Sequence, residues 1–262
     1  MITLTSAQLD AWILAFMFPL ARILGVLALA PVFSNNGVNR TARLVCGLAI
    51  TMALAPVLPP MPAMAAYSWQ AIAILIREVM IGTLMGLSLS LAFAAINIAG
   101  DLISLQMGLS FAVLYDPQTQ GQTPVITNLF TLLTILIFLA SNGHLLILSL
   151  LARSFDFLPV SALPFAVDSL RTLVGSAATL FSLGLLLALP LIAALLIANI
   201  GLGILTRVAP TLNLFAIGFV VTLSAGFIML SLSLPYMGIA LDKLFDLCFR
   251  NLDVFLRAAR GA

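Results

Sequence analysis

The residues that could do chemistry in this chain are few and widely spaced. His144 is the only histidine, and Cys46 and Cys248 are the only cysteines. A metal site takes three or four ligands grouped at short spacing, and these residues form no such group. The serines lie in neither a G-x-S-x-G nor an S-x-x-K motif, and the sequence has no glycine-rich phosphate loop. We therefore expect no catalytic site, no metal site and no cofactor, and we expect that the chain is not an enzyme.

Four ionisable side chains lie inside apolar stretches, where each is costly unless it is paired or wetted. They are Arg22, the adjacent Arg77 and Glu78, and Asp101. A transporter would use such groups to bind a substrate or a proton. In a structural interpretation they pair with neighbouring subunits, or their segments do not face lipid. We favour the structural interpretation, in which these charges are buried in protein or face an aqueous lumen.

Small and polar residues recur along one side of the segment around residue 100. Their spacing of 4, 3, 4, 3 and 4 residues places them on one helix face, and they are Ser90, Ala94, Asn97, Asp101, Ser104 and Gly108. A polar stripe is unfavourable against lipid, so this face needs close helix contact or water. Ser90, Asn97, Asp101 and Ser104 are therefore predicted to line a lumen or a contact between subunits.

The stripe leads into the segment QMGLSF at residues 106–111, which precedes the polar run DPQTQGQTP. The stretch 102–126 that contains both is too polar and too glycine-rich for a plain membrane span and too apolar for an ordinary solvated loop. A polar lining that ends in an apolar, flexible segment is what a closed aqueous pathway requires. Gly108 also permits backbone geometry that a larger residue would strain. The alternative is a buried re-entrant turn that holds subunits together.

The composition of the chain indicates a membrane environment for all of these residues. Of 262 residues, 63% are hydrophobic and 8% are charged. Soluble domains have roughly 45–50% apolar and about 25% charged residues. The net charge of +2 is too small to indicate a nucleic-acid partner. Because open sheets cannot satisfy their backbone in lipid, the composition predicts an all-α, polytopic membrane protein that contacts lipid.

Hydropathy predicts about six apolar stretches that must position the polar residues. The first begins near Ser6, where Thr5 and Gln8 have capping-box spacing. The second is LVCGLAITMALAPVL, and the others cover residues 79–100, 125–152, 172–199 and 208–241. GTLMG at residues 82–86 matches the small-xxx-small pattern of closely packed helices, which is a common and weak signal.

Local breaks and one amphipathic helix complete the predicted elements. Asn142-Gly143 predicts a helix end or turn, Pro190 a kink and Pro235 a break. The C-terminal segment ALDKLFDLCFRNLDVFLRAARGA has apolar residues at helical spacing on one face. We expect this amphipathic helix to lie at an interface or against a partner and not to cross the bilayer.

Three segments resemble the FliR family of flagellar export proteins, which is related to subunits of virulence-type secretion systems. They are AGDLISLQMGLSFAVLYDP (99–117), FLASNGHLLILSLLARSFDFLPV (138–160) and LTRVAPTLNLFAIGF (205–219). The combination of QMGLSFA, DP, NGH, SF and RVAP in this order is highly specific, and the resemblance runs through most of the chain. Asn39, Thr211 and Val220 depart from the residues usual in the family.

The resemblance implies a single domain over residues 1–262, built from long, tilted and kinked helical hairpins. It implies a subunit of the flagellar type III export gate, in the bacterial inner membrane at the flagellar basal body. With FliP-like and FliQ-like subunits, and next to an FlhB-like protein, such a subunit forms the channel for unfolded flagellar proteins.

The resemblance also assigns a role to residues 106–111. Gln106, Met107, Gly108, Leu109, Ser110 and Phe111 match the pore-facing plug of the family. We expect Met107, Leu109 and Phe111 to supply its apolar seal.

Two other classes of function stay open at this point. A secondary transporter of small solutes would behave as a monomer or small homo-oligomer and would contain an internal repeat of hydropathy. A membrane scaffold without a pore would not depend on residues 106–111.

Overall fold

Most of the chain that the structure describes is helical. The computed structural model describes residues 5–34, 37–62, 64–109, 125–161, 168–208 and 214–260. The helices in these ranges are α1 (Ser6–Leu29), α2 (Pro31–Ser34), α3 (Arg40–Leu54), α4 (Trp69–Gln106), α5 (Val125–Ala140), α6 (Gly143–Phe157), α7 (Asp168–Val208) and α8 (Leu214–Ala259). No strand occurs within those ranges. The all-α prediction is therefore confirmed.

The first helix begins where its capping signal predicts. The backbone N–H of Gln8 donates to the Thr5 hydroxyl at 3.4 Å, and the backbone N–H of Thr5 donates to the Gln8 side chain at 3.2 Å. This reciprocal pair is a capping box, and it satisfies two donors that a helix start otherwise leaves without a partner. Helix α1 starts at Ser6 as a result.

All six apolar stretches form helices, but fewer than six of these helices are long enough to cross a membrane. Among the described residues, four helices are long and apolar enough, namely most of α1, α4, α7 and most of α8, and the bent pair α5 and α6 makes a fifth if it counts as one span. The second apolar stretch forms only the 15-residue helix α3. At 1.5 Å per residue α3 is about 22 Å long, which is shorter than a hydrocarbon core of ~30 Å.

The predicted break at Asn142-Gly143 is confirmed. Asn142 has φ 56° and ψ 26°, which is the left-handed conformation that asparagine tolerates better than most residues. Helix α5 ends just before it and helix α6 starts just after it, with a bend of 65° between their axes.

The predicted break at Pro235 is wrong. Helix α8 continues through Pro235 from Leu214 to Ala259, and α7 likewise contains Pro190. A proline removes one backbone hydrogen bond from a helix, and packing of the flanking turns is enough to continue it. The amphipathic C-terminal segment is consequently the second half of α8 and not a separate helix.

The apolar face of that segment is buried within this chain. Its members are between 0% and 4% exposed, and they are Leu241, Leu244, Phe245, Cys248, Leu252, Phe255 and Leu256. The expectation that this face meets an interface or a partner is therefore wrong. Helical spacing shows that a face is apolar, and it does not show which surface covers the face.

The chain forms two compact units. The first consists of Met1–Leu91, Asn142–Ala177 and Cys248–Ala262, and the second consists of Ala92–Ser141 and Ala178–Leu247.

In the first unit, helices α1 and α4 cross where both carry glycine. A Cβ on Gly82 would overlap the Arg22 carbonyl oxygen, and a Cβ on Gly86 would lie 2.8 Å from the Val26 carbonyl oxygen. From the other side, a Cβ on Gly25 would lie 2.8 Å from the Val79 carbonyl oxygen. The two backbones are thus in direct contact, which is the arrangement that the GTLMG pattern favours.

In the second unit, three phenylalanines join α4, α5 and α8. The ring centroids of Phe93 and Phe138 are 5.9 Å apart, those of Phe93 and Phe245 are 5.6 Å apart, and those of Phe138 and Phe245 are 5.0 Å apart. These are tilted and edge-to-face arrangements of the kind that aromatic rings prefer. Nearby on α4, the Ala95 carbonyl oxygen would lie 2.5 Å from a Cβ on Gly184 of α7.

The Gly82 crossing gives a first prediction. Gly82→Ala places a methyl group against the Arg22 backbone, and overpacking of this kind costs typically 1–3 kcal/mol. We expect a lower midpoint of thermal unfolding for the protein purified in detergent. Gly175→Ala is the matched control, because a Cβ on that helical glycine meets no atom within 4 Å. Equal midpoints for the two variants would contradict the crossing.

Candidate functional site

Three charged residues of the first unit, Arg22, Arg77 and Glu78, form one buried network. Arg22 and Glu78 are each 0% exposed, and the Arg22 Nε donates to Glu78 Oε2 at 2.6 Å. The Nη2 atom of Arg22 lies 2.6 Å from the same oxygen and donates to the Leu158 carbonyl at 2.8 Å. The Nη1 atom donates to the Ser154 hydroxyl at 3.0 Å. The guanidinium of Arg22 is therefore held by groups from α4, from α6 and from the residue that follows α6.

Two further contacts complete this network. The Nη1 atom of Arg77 donates to Glu78 Oε1 at 3.0 Å and to the Pro159 carbonyl at 3.1 Å. The Arg22 guanidinium carbon lies 4.0 Å from the centroid of the Phe155 ring, which is within the range of a cation–π contact. Both oxygens of Glu78 are thus occupied by arginines of the same chain. We expected partners in a neighbouring subunit or a location away from lipid, and the structure supplies partners within the chain.

The polar stripe on α4 is also used within the chain. In the second unit, Thr127 of α5 donates to Asp101 Oδ1 at 2.6 Å, and Thr131 donates to Asn97 Oδ1 at 2.8 Å. In the first unit, the Ser90 hydroxyl donates to the Leu29 carbonyl of α1. Asp101 remains exposed in the single chain. That the Asp101 side chain faces a lumen or a further subunit stays a prediction.

Ser104 differs from the other members of the stripe. Its side chain is buried, and its hydroxyl has no hydrogen-bond partner among the described residues. Its own chain covers it, and its part in a lumen or a subunit contact stays a prediction.

Helix α4 ends in a defined hydrogen-bonded turn at the start of the predicted plug. The Leu109 N–H donates to the Ser104 carbonyl at 3.1 Å, and the Gly108 N–H donates to the Leu105 carbonyl at 3.1 Å. This pair of bonds is the Schellman motif, which needs a left-handed residue directly after the helix cap. Gly108 has φ 80° and supplies that conformation, as the sequence predicts.

The structure describes four of the six predicted plug residues. Gln106 and Leu109 are half-buried, whereas Met107 is 0% exposed. The Met107 side chain lies against Gly226 of α8, and the backbone carbonyl oxygen of Met107 lies 3.4 Å from the Thr222 hydroxyl. The role of these residues in a plug stays a prediction. Ser110 and Phe111 lie outside the described residues.

These features define the class of protein to which the chain belongs. It is a polytopic, all-α membrane protein in which the described buried charges hold helices together. The family model of the bacterial export proteins, family 1, matches residues 13–248. The chain belongs to this family, and it is an export protein and not an enzyme. The match includes residues from both compact units.

Individual relatives are similar to this chain over almost its full length. The chain is 40% identical over 249 residues to a flagellar biosynthetic protein FliR of Pectobacterium carotovorum subsp. carotovorum, with 95% of each chain covered. It is 36% identical over 252 residues to the protein of that name from Escherichia coli strain K12, with 96% of each chain covered. It is 29% identical over 252 residues to the one from Aquifex aeolicus strain VF5, which covers 96% of this chain and 97% of the relative.

The buried network gives a second prediction. Glu78→Gln leaves the fully buried Arg22 without its counter-charge, and removing one partner of a buried pair costs about 3–5 kcal/mol. We expect a strong loss of folded protein in membranes, measured by quantitative immunoblot and by the thermal midpoint of what remains. Asp253→Asn breaks a comparable but surface pair with Arg257 and should cost at most about 1 kcal/mol. A similar small effect at both sites would show that the buried network contributes little.

Proposed function

We propose that this chain is a subunit of the flagellar type III export gate, located in the bacterial inner membrane at the flagellar basal body. With FliP-like and FliQ-like subunits, and next to an FlhB-like protein, it forms the channel that passes unfolded flagellar proteins. The observation that carries the proposal is the match over 95% of the chain to a flagellar biosynthetic protein. The family model spans residues 13–248, a range that contains the QMGL turn and the buried network as well as apolar helices.

The outer surfaces of α7 and α8 support assembly with further helical subunits. Within the most apolar 18-residue stretch of each helix, 28% of α7 and 11% of α8 is buried, compared with 44% of α1 and 56% of α4. Ile197 and Ile228 are examples of large apolar side chains left more than half exposed. An apolar groove of about 500 Å³ also opens in the second unit, between residues such as Leu187 and Met229. Lipid could also cover such surfaces. Membership of an export-protein family supports protein partners in addition.

In the proposed gate, residues 106–111 close the channel at rest. The Schellman motif supports this role because it turns the chain out of α4 at Gly108 in one defined direction. Since Met107 is buried against α8, the sealing function falls on Leu109 and Phe111. In this proposal Met107 anchors the segment, and Leu109 and Phe111 seal the channel.

The buried charges count against a secondary transporter of small solutes. A substrate or proton site needs a charged group that is open to the ligand in one state. Arg22 and Glu78 instead bond to each other, to Arg77 and to groups on and after α6. A gate subunit can use such a closed network to keep its helices in register.

The assembly gives a third prediction. Tagged chain extracted in mild detergent should co-purify with FliP-like and FliQ-like proteins in fixed ratios, because α7 and α8 leave much of their apolar surface uncovered. Native mass spectrometry measures the composition directly. A stable, solitary chain that still supports export would contradict the proposal.

Closure of the channel gives a fourth prediction. Phe111→Gly, and separately deletion of residues 106–111, should leave the complex assembled but permeable to ions and small solutes. A core-packing role predicts the reverse, because removing a buried phenylalanine side chain costs ~3–5 kcal/mol and lowers assembly itself. Membrane leakage and the yield of intact complex are measured for the same variants. Phe111→Leu is the control, since it keeps an apolar side chain and should retain the seal. Reduced yield with no leakage would rule out the plug.

A further inference from the structure

Three aromatic side chains project from the first unit where two of its helices begin. Trp12 lies in the second turn of α1, Trp69 is the first residue of α4, and Tyr67 lies two residues before Trp69. Their exposed fractions are 64% for Trp12, 80% for Trp69 and 85% for Tyr67. Tryptophan and tyrosine combine an apolar ring with a polar group, and in membrane proteins they concentrate at the boundary between lipid and water. We name these three residues the aromatic collar.

Helices α1 and α4 run in the same direction along their contact. Arg22 of α1 pairs with Glu78 of α4, and further along both helices the Ser90 hydroxyl of α4 donates to the Leu29 carbonyl of α1. The residue numbers of both helices therefore increase together. The two helices consequently begin on the same side of the first unit.

The Arg22–Glu78 pair allows the two tryptophans to be compared along the helices. Trp12 precedes Arg22 by ten residues, which is about 15 Å of helix, and Trp69 precedes Glu78 by nine residues, which is about 14 Å. Both tryptophans therefore lie at nearly the same level, and so does Tyr67 beside the start of α4. The aromatic collar is one feature of the folded unit, although its members are more than 50 residues apart in the sequence.

The distance from the collar to the Leu29–Ser90 contact equals the thickness of a bilayer interior. Along α1, Trp12 to Leu29 is 17 residues, or about 26 Å, and along α4, Trp69 to Ser90 is 21 residues, or about 32 Å. The hydrocarbon core of a bilayer is ~30 Å thick. Two helices thus give consistent values for the same dimension.

The exposed surface of both helices between these two levels is apolar. Within residues 12–29 and 69–90 the charged residues are those of the buried network, and their side chains are between 0% and 11% exposed. The side chains that point outwards there are apolar, and Met17 and Ile76 are examples. This surface can therefore meet hydrocarbon without exposing a charge to it.

A cationic residue lies just beyond the second level. The Nε atom of Arg43 donates to the Phe33 carbonyl at 3.1 Å, so the start of α3 lies beside the chain that follows α1. Arg40 begins α3 one turn earlier, and it is exposed. An arginine at this level is complementary in charge to lipid phosphate. The order of aromatic collar, uncharged belt and exposed arginine matches the order of layers across a bilayer.

We propose that the aromatic collar marks one lipid–water boundary on the first unit, and that the outer faces of α1 and α4 from the collar to the Leu29–Ser90 contact bind phospholipid. The Arg22–Glu78 pair then lies about 14 Å inside that boundary, close to the middle of the hydrocarbon core. Water is scarce at that depth, so the pair has to be satisfied by protein groups, as it is. This inference holds whether or not the chain forms a channel.

The test measures the depth of each tryptophan in a bilayer. The full chain, with the subunits that co-purify with it, is placed in nanodiscs whose phospholipid carries a nitroxide quencher at the headgroup, near the top of the acyl chain or near its end. Trp12 and Trp69 are the only tryptophans of the chain. Their fluorescence is the difference between the wild-type sample and one carrying both Trp12→Phe and Trp69→Phe. We expect severalfold stronger quenching by the headgroup and upper-chain nitroxides than by the chain-end nitroxide, and the same order in each single variant.

A tryptophan placed deeper on the same face of α4 is the matched control. Ile76 follows Trp69 by seven residues, which is two helical turns and about 10 Å, and it is 55% exposed. Ile76→Trp is introduced into the chain that lacks both natural tryptophans. We expect the opposite order at position 76, with the chain-end nitroxide quenching severalfold more strongly than the headgroup nitroxide.

Four results would overturn the inference. Quenching of Trp12 and Trp69 by aqueous iodide and by no lipid nitroxide would place the collar outside the bilayer. Quenching by neither would show that other protein subunits cover the collar. Strongest quenching by the chain-end nitroxide would place the boundary elsewhere on the unit. An unquenched tryptophan at position 76 would show that protein, and not lipid, covers this face of α4. None of these results depends on whether residues 106–111 close a channel, so the proposed gate and this inference can fail separately.

Discussion

A charge that is removed from water must meet its counter-charge inside the protein, and this constraint organises the first unit. Glu78 precedes Gly82 by one helical turn, so the same face of α4 presents both residues to α1. The bare backbone of Gly82 lets the Arg22 backbone approach directly, and at that short separation the Arg22 side chain reaches Glu78. The close approach of α1 and α4 at Gly82 and the pairing of Arg22 with Glu78 therefore depend on each other. A larger residue at position 82 would move Arg22 away from the carboxylate that makes its burial possible.

In the second unit, two polar residues of α4 are paired in a related way. Asn97 and Asp101 are four residues apart on α4, and Thr127 and Thr131 are four residues apart on α5. Two hydrogen bonds with the same periodicity thus connect the helices side by side. Gly100 lies in the same contact, where a Cβ would come within 2.9 Å of the Thr127 Cα. Small residues allow close approach here, and polar residues are satisfied because of it.

The tight helix contacts differ from the exposed apolar faces of α7 and α8. At Gly82 and Gly100 the nearest atom is a backbone atom of the facing helix, so a side chain at either position would push the two helices apart. At Gly226 the nearest atoms belong to the Met107 side chain. Within the most apolar stretches of α7 and α8, most residues are not buried. The close contacts therefore lie at small residues, and the apolar side chains of α7 and α8 face away from them.

The sequence alone was sufficient for several features that depend on local spacing, although not for the continuous helix through Pro235. The capping box at Thr5 and Gln8, the break at Asn142 and the left-handed Gly108 involve residues a few positions apart, so their geometry follows from the order of residues. Family membership followed as well, because short motifs in a fixed order are a property of sequence.

The tertiary structure decided which surface covers each face and which partner each polar group meets. Arg22 bonds to Ser154, which is 132 residues away, and Met107 is held by Gly226 across a similar distance in the chain. Hydropathy and helical period could not find these pairs, because they identify residues that share a face and contain no information about the opposite helix. For the same reason the C-terminal apolar face was assigned to a partner. Burial against a distant segment depends on how the helices cross, and that is set by the glycines whose close contacts only the folded chain shows.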